Sequence, residues 1–380
     1  MTRATFNSNQ CTVECDCATP LVVVVDDDPD RAVLAAQWRA LEPRADGSVF
    51  NSWMWVSAVL AHGLDQPLVV QVLADQRVVA IGVFQRARRW GARTLSLTAV
   101  DDPAIDAAYI EYNAPLVDRD YPQAALIWWQ AIGRLGATMV YLPGIAAEHM
   151  GPLHSMGALL VERRQPAPRR DLAMVRASGG DVLALMSANS RAQLRRALRS
   201  YQRSGPITLS RATTREAAHR AFAHMAELHQ ASWRRRGRAG AMSQQFCRFH
   251  HDILDYGVAA GQVDLLTVKA GDRLIGYLYN LRYGQTVCAY QSGFAYDEAV
   301  AHEKPGLVCH AAAISDYAKQ GLGIYDFLAG EARYKTSFSD HAPILVWARL
   351  VFGYTPLAIS LKGRARLQAA MRGLVEKFYS

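Results

Sequence analysis

GQVDLLTVKAGDRLIGYLYNLRYGQTVCAYQSGF, residues 261–294, carries the clearest structural signal in this 380-residue chain. Hydrophobic and β-branched residues fill three runs, at 263–268, 274–281 and 287–294. The breaks between the runs hold Gly271-Asp272 and Gly284-Gln285, and short glycine-containing breaks of this kind are typical of β-hairpin turns. The stretch therefore predicts three successive antiparallel strands.

The residues that follow predict a helix and a further strand. An apolar helical pattern covers residues 305–319, Gly321 and Gly323 end it, and a short hydrophobic run occupies residues 324–328. Strands joined by a long crossover helix are usually parallel neighbours in one sheet. A parallel pair at the side of an antiparallel meander can separate at one end. We therefore predict a cleft that opens near Tyr290 and Asp326.

The first half of the chain shows the same order of elements: helices, a hairpin, a further strand, a helix and a strand. We predict an α/β (α+β) protein built as a tandem fold, with two similar halves that each have a mixed central sheet flanked by helices. The length agrees with two domains of about 150–200 residues. The Pro- and Arg-rich segment 165–170 marks the boundary. We expect a disordered tail at 1–19, an N-terminal domain at 20–165, a C-terminal domain at 170–355 and a basic helix at 356–380.

Composition and charge narrow the classes of function. No apolar run approaches the roughly 18–20 residues of a membrane span, and the N-terminus lacks a signal-peptide pattern, so we expect a soluble cytoplasmic protein. Six cysteines predict neither a disulfide scaffold nor, at these spacings, a zinc site. The net charge is +8, and residues 161–240 contain 17 arginines but only 5 acidic residues. Such a segment attracts an anionic partner.

The second half resembles the GNAT-type acyltransferase domain of the CelD-like family and, more distantly, the FemABX peptidyltransferases, which have two GNAT-like halves. The resemblance rests on the order of several motifs: the arginine-rich helix at 190–203, Leu228-His229-x-x-Ser232-Trp233 with the basic run after it, Tyr290-x-Ser292-Gly293-Phe294, Lys304-Pro305-Gly306-Leu307, Tyr325-Asp326-Phe327, and Gly330-Glu331-x-x-Tyr334-Lys335-x-x-Phe338. It implies an acyltransferase with no permanently bound cofactor, whose co-substrate is an acyl-CoA or acyl-carrier-protein thioester.

The resemblance also implies a set of donor-binding residues. Common GNAT enzymes hold the pyrophosphate of coenzyme A on a loop with several glycines before the crossover helix, whereas this chain has one glycine and a proline there. The helix N-terminus still attracts an anion. A carrier-protein thioester or an aminoacyl-tRNA would depend less on a pyrophosphate loop. The predicted donor-binding residues are Ser292, Lys304, Gly306, Leu307, Arg236 and Trp233.

The reaction that the resemblance implies is direct attack of an amine on an activated carbonyl, which requires a base and donors for the oxyanion. Backbone N–H groups along residues 289–292 are the predicted oxyanion donors. His229 and Glu331 are the candidate bases, although His229 also lies on the apolar face of its helix, where a core histidine is common. Tyr290 is a candidate proton donor, and Tyr334 and Lys335 complete the predicted catalytic set.

Four residues are predicted to bind the acceptor: Glu111, Tyr112, Asn113 and Asp326. We expect an N-acyltransferase that acylates an amine of a peptide, amino sugar or natural-product intermediate. The alternatives are a FemABX-like transferase that uses aminoacyl-tRNA, a nucleic-acid-binding protein that uses the arginine segment, and a non-catalytic scaffold. The sequence leaves the oligomeric state open, a homodimer included.

Overall fold

The computed structural model describes residues 4–7, 10–13, 20–89, 91–99, 110–237, 240–296, 303–354, 356, 358–364 and 366–367. The chain divides into two compact units, Met1–Arg164 together with Ile344–Ser380, and Gln165–Pro343. We call them the N-terminal unit and the C-terminal unit. Among the described residues, no helix combines the length and the apolar character that a membrane crossing requires.

In its described part, the N-terminal unit contains one eleven-stranded sheet with helices beside it. Its strands are β1 (Ala4–Asn7), β2 (Gln10–Val13), β3 (Leu21–Asp26), β4 (Ala45–Asp46), β5 (Pro67–Ala74), β6 (Arg77–Arg89), β7 (Ala92–Leu97), β8 (Leu116–Asp118), β9 (Met139–Ala146), β10 (Ala158–Pro166) and β17 (Ile344–Val351). Its helices are α1 (Arg31–Leu41), α2 (Trp53–His62) and α3 (Gln123–Ile132).

The C-terminal unit contains a six-stranded sheet in its described part. The strands are β11 (Arg169–Asp171), β12 (Ile207–Arg211), β13 (Val263–Ala270), β14 (Arg273–Tyr283), β15 (Thr286–Phe294) and β16 (Ile324–Asp326). The helices are α4 (Leu172–Ala177), α5 (Ala188–Gln202), α6 (Arg215–Arg235), α7 (Gln244–Gly257), α8 (Pro305–Lys319) and α9 (Arg333–Phe338). The predicted hairpins and the crossover helix at 305–319 are confirmed.

Both sheets follow one pattern. In the C-terminal unit the order is β12-β13-β14-β15-β16-β11, with β15 and β16 parallel and the other neighbours antiparallel. In the N-terminal unit the corresponding path is β3-β5-β6-β7-β9-β17, with β7 and β9 parallel. The prediction of a mixed α/β fold with two similar halves is therefore confirmed.

The last strand of each path comes from a distant part of the chain. Strand β11 precedes the rest of the C-terminal sheet, whereas β17 follows the C-terminal unit and pairs with β9. Sequence analysis placed residues 344–351 at the end of the C-terminal domain, because alternating apolar residues identify a strand but not its partner. The structure puts this strand in the N-terminal sheet.

Other elements differ from the sequence-based predictions. Helix α4 directly follows β11, because the Asp171 carboxylate accepts a hydrogen bond from Ala173 N and caps the helix. Helix α5, predicted at 190–203, begins at Ala188 and is capped by Ser187. Strands β1 and β2 lie in the stretch predicted as a disordered tail. Most of the predicted basic helix at 356–380 lies outside the described residues.

Each unit has its own hydrophobic core. In the N-terminal unit, Trp128 of α3 is fully buried, stacks on Phe84 at 5.4 Å and donates its indole N–H to Val70 O over 2.8 Å. In the C-terminal unit, α8 lies against the sheet, with Val308, Ile314 and Tyr317 fully buried. Helix α8 therefore contributes to the hydrophobic core of the C-terminal unit.

Candidate active site

The parallel pair in the C-terminal unit separates where the sequence predicted a cleft. Strands β15 and β16 pair at three positions only, Thr286 with Ile324, Val287 with Tyr325 and Cys288 with Asp326. Beyond Cys288, β15 continues to Phe294 without pairing to β16. The two strands therefore diverge after Cys288 and Asp326, and the segment 289–294 of β15 borders the opening.

Strand β15 carries a β-bulge in this segment. Its register against β14 runs from Tyr279 opposite Gln291 to Asn280 opposite Ala289, so Tyr290 is the extra residue. A bulge changes the direction of the backbone groups around it and is common beside active sites. The bulge therefore gives the main chain at 289–292 a different direction from that of the paired part of β15.

Helix α6 comes unusually close to β15 just after the bulge. A Cβ atom placed on Gly293 would overlap the main-chain carbonyl of Met225. Only glycine permits this approach without a shift of the helix. Because His229 is one helical turn beyond Met225, the approach brings the imidazole to β15.

His229 makes a single defined hydrogen bond. Its Nδ1 donates to the main-chain carbonyl of Ser292 over 2.9 Å, since a carbonyl can only accept. This fixes the tautomer whose Nε2 carries a lone pair. The residue is 8% exposed, and Nε2 has no hydrogen-bond partner among the described residues. Burial lowers the pKa of His229, while the bond to Ser292 opposes that shift and the Arg236 charge adds to it.

Two predicted donor-binding residues lie beside His229. The Trp233 ring is 5.9 Å from the imidazole, and the Arg236 guanidinium lies 5.8 Å from the Trp233 ring. Gly240 faces the same atoms, since a Cβ there would be 3.2 Å from His229 Nε2 and 3.1 Å from Trp233 Cδ1. A glycine at 240 thus lets the main chain lie close to the Nε2 side of the imidazole.

Tyr290 points into an aromatic cluster. Its ring lies 5.0 Å from His250, 5.7 Å from Tyr279 and 6.3 Å from Phe246. The side chain is half-buried. The ring therefore has a packing role, whatever its hydroxyl does in the reaction.

The first turn of α8 lies near the end of β15. A Cβ on Gly306 would be 3.2 Å from the Phe294 ring, so this glycine fits against the strand end. Lys304 is exposed and precedes Pro305, which occupies the first turn of the helix. Leu307, predicted to bind the donor, is 8% exposed and belongs to the hydrophobic core. Its position indicates packing.

A buried carboxylate anchors this helix start. Glu303 is 7% exposed and makes two bonds with the Arg273 guanidinium, over 2.9 and 2.7 Å. It also accepts a hydrogen bond from the Ser200 hydroxyl over 3.1 Å. Bidentate carboxylate–arginine pairs hold a defined geometry. They tie α8 to β14 and to α5, and sequence analysis gave neither residue a role.

The predicted residues after β16 are held in a compact turn. Lys335 donates from Nζ to the carbonyls of Leu328 and Ala329, over 3.0 and 2.7 Å. Asp326 accepts a hydrogen bond from Leu328 N over 2.7 Å and lies 3.8 Å from Arg169 Nε. Leu328 has a φ of 61°, an unusual value for a bulky residue that these bonds stabilise. Lys335 and Asp326 therefore shape the turn.

Tyr334 stacks on a buried histidine that sequence analysis did not single out. The rings of Tyr334 and His310 are 5.0 Å apart and nearly parallel, and His310 Nδ1 is 2.9 Å from the Tyr325 hydroxyl. Burial, helped by the Lys335 charge, lowers the pKa of His310 to about 3. Burial raises the pKa of Tyr334 to about 12. Glu331, the other candidate base, is exposed.

The corresponding divergence in the N-terminal unit is filled by the chain itself. Strands β7 and β9 pair only as far as Ser96 opposite Tyr141. Beyond that point, Asn113 connects them, because its side-chain amide donates to Leu97 O over 2.8 Å and its main-chain N–H donates to Gly144 O over 3.1 Å. A Cβ on Gly144 would be 2.8 Å from Ile110 O. Residues 110–113 thus occupy the opening.

This arrangement bears on the three predicted acceptor residues of that segment. Asn113 is fully buried, and its amide is committed to the strand ends. Tyr112 has a φ of 48° and accepts a hydrogen bond from Ser48 Oγ through its main-chain oxygen over 3.2 Å. Glu111 and Tyr112 are half-buried. Asn113 therefore stabilises the segment through its side-chain N–H, while its Oδ1 has no hydrogen-bond partner among the described residues.

The structure brings together four of the residues chosen from the sequence: His229, Ser292, Trp233 and Arg236. The Tyr290 ring packs against His250 and Tyr279 instead. Sequence analysis missed Gly240, Glu303 and His310. Gly240 gives no local signal, because its close approach to the rings of His229 and Trp233 is visible only in the structure. His310 lies within an apolar helical pattern, where a histidine looks like a core residue.

Comparison with known proteins agrees with this fold. Residues 188–336 match the family model described as an acetyltransferase (GNAT) domain. No curated protein matches the chain. Among solved structures, FemX has 11% sequence identity with a TM-score of 0.55 and is matched over 84% of this chain and 96% of its own.

Two further structures are similar over most of their length. The C-terminal domain of a putative lysylphosphatidylglycerol synthetase from Agrobacterium fabrum has 10% identity and a TM-score of 0.51, covering 87% of this chain and 95% of its own. L-PGS from Bacillus licheniformis has 11% identity and a TM-score of 0.50, covering 90% and 97%. At these identities the similarity concerns the fold.

The family match and the fold together define the class of protein. The chain has a GNAT-like fold and is an acyltransferase, and the GNAT domain that the family model matches, residues 188–336, lies within the C-terminal unit.

Proposed function

We propose that the C-terminal unit transfers an acyl group from a thioester donor to an amine of a larger acceptor, with His229 as the general base. The observation that carries this proposal is the buried lone pair of His229 Nε2. It lies on a side chain anchored to β15, the strand that borders the opening. A neutral imidazole held in one tautomer is suited to accept a proton at ordinary pH.

The proposed reaction has no covalent enzyme intermediate. The amine nitrogen bonds to the carbonyl carbon while His229 Nε2 accepts its proton, and the main chain at 289–292 stabilises the negative oxygen. The carbon–sulfur bond then breaks, and the leaving thiolate takes a proton, for which Tyr290 is our candidate donor. Trp233 and Arg236 cover the side of His229 and bind the donor. Lys335 and Asp326 hold the turn after β16 in place.

The donor in this proposal is an acyl-CoA or acyl-carrier-protein thioester, and the acceptor is a peptide or amino-sugar amine. Support for a donor site in the C-terminal unit alone comes from residues 110–113, which fill the equivalent opening of the N-terminal unit. Lys304 and the first turn of α8 attract the anionic part of the donor. One donor molecule per chain is the expected stoichiometry.

The test is an assay of the purified full-length chain with acetyl-CoA and a panel of amines, following thiol release and the mass of the amide product. We expect product with the wild type, a loss of about 10²–10⁴-fold in His229→Gln, and little change in His224→Gln. His224 is an exposed histidine on the same helix and serves as the matched control. Equal rates in the two variants would contradict the role of His229.

Gly240→Ala tests the same site without removing the base. Its Cβ would be 3.2 Å from Nε2 and would crowd the lone pair. We expect a large fall in rate, greater than any accompanying loss of stability explains. A fully active Gly240→Ala protein would show that the space beside Nε2 is not where the amine binds.

A second candidate is transfer from aminoacyl-tRNA, and helix α5 favours it. The helix contains no acidic residue and carries four arginines, Arg191, Arg195, Arg196 and Arg199. Three of these side chains are exposed, as a surface for a large polyanion would require. Ribonuclease sensitivity of product formation, with charged tRNA as donor, separates this candidate from thioester transfer.

A further inference from the structure

The N-terminal unit contains a cavity that the proposed acyl transfer does not use. Its volume is about 710 Å³, within the range of small-molecule binding sites. It lies near the hairpin at which β6 ends and β7 begins. The divergence of β7 and β9 after Ser96 and Tyr141 is at the other end of β7. Apolar side chains line one part of it: Val25, Leu68, Leu95, Leu135 and Ala137.

Two arginines of this cavity face each other in a way that is unfavourable by itself. Arg88 on β6 and Arg93 on β7 are directly opposite in the antiparallel register, and both are exposed. Like charges at directly opposed positions destabilise a strand pair. Among the described residues, no carboxylate lies within ion-pair distance of either guanidinium. A bound anion between them would relieve the repulsion.

The surrounding groups hold this arrangement in place. Arg86, the third arginine of the cavity, donates to the Asp27 carboxylate over 3.2 Å and to the Asp27 carbonyl over 2.7 Å. It is thereby neutralised and forms a fixed wall. Gly136 leaves room for Arg93, because a Cβ there would be 2.7 Å from Arg93 Nη2. With Asp65 also in the lining, the charged side chains of the cavity sum to +1.

We propose that this cavity binds a small ligand that combines an apolar body with one carboxylate or phosphate group. The anionic group sits between Arg88 and Arg93, and the apolar body lies on Leu68 and Leu95. Both guanidinium groups can donate two parallel hydrogen bonds to such an anion. The proposal does not depend on the acyl-transfer chemistry of the C-terminal unit.

The test is isothermal titration of the full-length chain with three probes of similar size: benzoate, phenyl phosphate and benzyl alcohol. We expect benzoate or phenyl phosphate to bind once per chain, and the neutral alcohol to bind at least tenfold more weakly. The stronger of the two anions identifies the headgroup. Equal binding of the alcohol, or no heat from either anion at millimolar concentration, would overturn the proposal.

Variants locate the binding. The double variant with Arg88→Gln and Arg93→Gln should bind the anion at least tenfold more weakly than the wild type. The double variant with Arg88→Lys and Arg93→Lys should keep most of the affinity. Arg164→Gln, an exposed arginine of β10 outside the cavity lining, is the matched control and should bind like the wild type. Without ligand, the glutamine pair should melt at the same or a higher temperature, because the repulsion is gone. Undiminished binding by the glutamine pair would also overturn the proposal.

Discussion

His229 donates its Nδ1 hydrogen to the main-chain carbonyl of Ser292 over 2.9 Å, which ties the middle of helix α6 to β15 just beyond the bulge at Tyr290. The bond has two consequences. It selects the tautomer with a lone pair on Nε2, and it fixes the imidazole against β15, the strand that borders the opening. A helix position and a strand distortion thus together define the candidate base.

The first prediction concerns the pH dependence of the reaction. Burial lowers the pKa of His229 below its ordinary value of 6.5, so the imidazole is neutral above that pH and becomes protonated only on acidification. The rate kcat/KM should be constant near neutral pH and fall on the acid side with an apparent pKa below 6.5. An aromatic amine that stays neutral over this range should be the acceptor, so that its own titration does not interfere.

Two variants check the assignment of that acid limb. His229→Gln should remove it and leave a low, flat rate, whereas His224→Gln should keep the wild-type profile. A profile that falls with the same apparent pKa in the His229 variant would assign the titration to another group.

The second prediction concerns Gly293. Its Cβ in Gly293→Ala would overlap Met225 O, so α6 must move away from β15. We expect a loss of about 1–3 kcal/mol in the free energy of unfolding, as in other overpacked sites. Activity should fall further than stability explains, because His229 shifts with the helix. Chemical denaturation and the amide-forming assay measure the two effects.

Gly151→Ala is the control for this substitution. No atom lies within 4 Å of a Cβ placed there, so stability and rate should both be preserved. A Gly293→Ala protein that matches Gly151→Ala in both measurements would show that the close approach of α6 is not required.

Much of the C-terminal unit could be predicted from local patterns. The hairpin turns at Gly271 and Gly284 and the crossover helix follow from residue types alone, and the right-handed crossover makes β15 and β16 neighbours. The place where the two strands diverge followed from this topology. Side-chain roles did not follow, because Lys335 and Asp326 are engaged by main-chain groups of a turn that no sequence pattern reveals.

The N-terminal unit shows a second limit. Strand β17 lies within the predicted C-terminal domain at 170–355, but its partner β9 is about 200 residues away in sequence. The alternation of side chains along a strand carries no information on which strand is the partner. Asn113 was noticed because a polar residue interrupts an apolar run. The same observation fits a ligand-binding amide and a structural one, and only the bonds to Leu97 and Gly144 distinguish them.

The third prediction concerns stability in acid. Burial lowers the pKa of His310 to about 3, while the unfolded chain keeps a value near 6.5. Between these values the unfolded state binds a proton that the folded state does not. The free energy of unfolding should therefore decrease as the pH falls below 6.5, with a contribution of about 1.4 kcal/mol per pH unit from this one group. The buried His250, whose pKa burial also lowers, adds to the decrease.

Denaturation at several pH values between 4 and 7 measures this slope. The interval of about three units spans the ordinary pKa of histidine. His310→Phe should reduce the slope by the contribution of about one proton. Phenylalanine fits the same aromatic surroundings and does not titrate. The exposed His154→Gln should leave it unchanged. If the slope in His310→Phe equals that of the wild type, protonation of His310 is not coupled to unfolding.

The fourth prediction concerns the segment that fills the opening of the N-terminal unit. Asn113→Asp replaces the amide that donates to Leu97 O by an acceptor of the same shape at a fully buried position. Two acceptors would then face each other, or the carboxyl group would have to stay protonated. Since a buried polar group without a partner costs about 1–3 kcal/mol, and a charged one more, we expect a loss of at least that size.

Asn189→Asp provides the comparison, because Asn189 is exposed in the first turn of α5, where a negative charge is favourable. Its melting temperature should equal or exceed that of the wild type. The Asn113→Asp protein should also lose less stability at low pH than at neutral pH, since protonation restores a donor opposite Leu97 O. If both variants melt at the wild-type temperature at neutral pH, Asn113 does not hold β7 and β9 together, and the opening in the N-terminal unit could then admit a ligand.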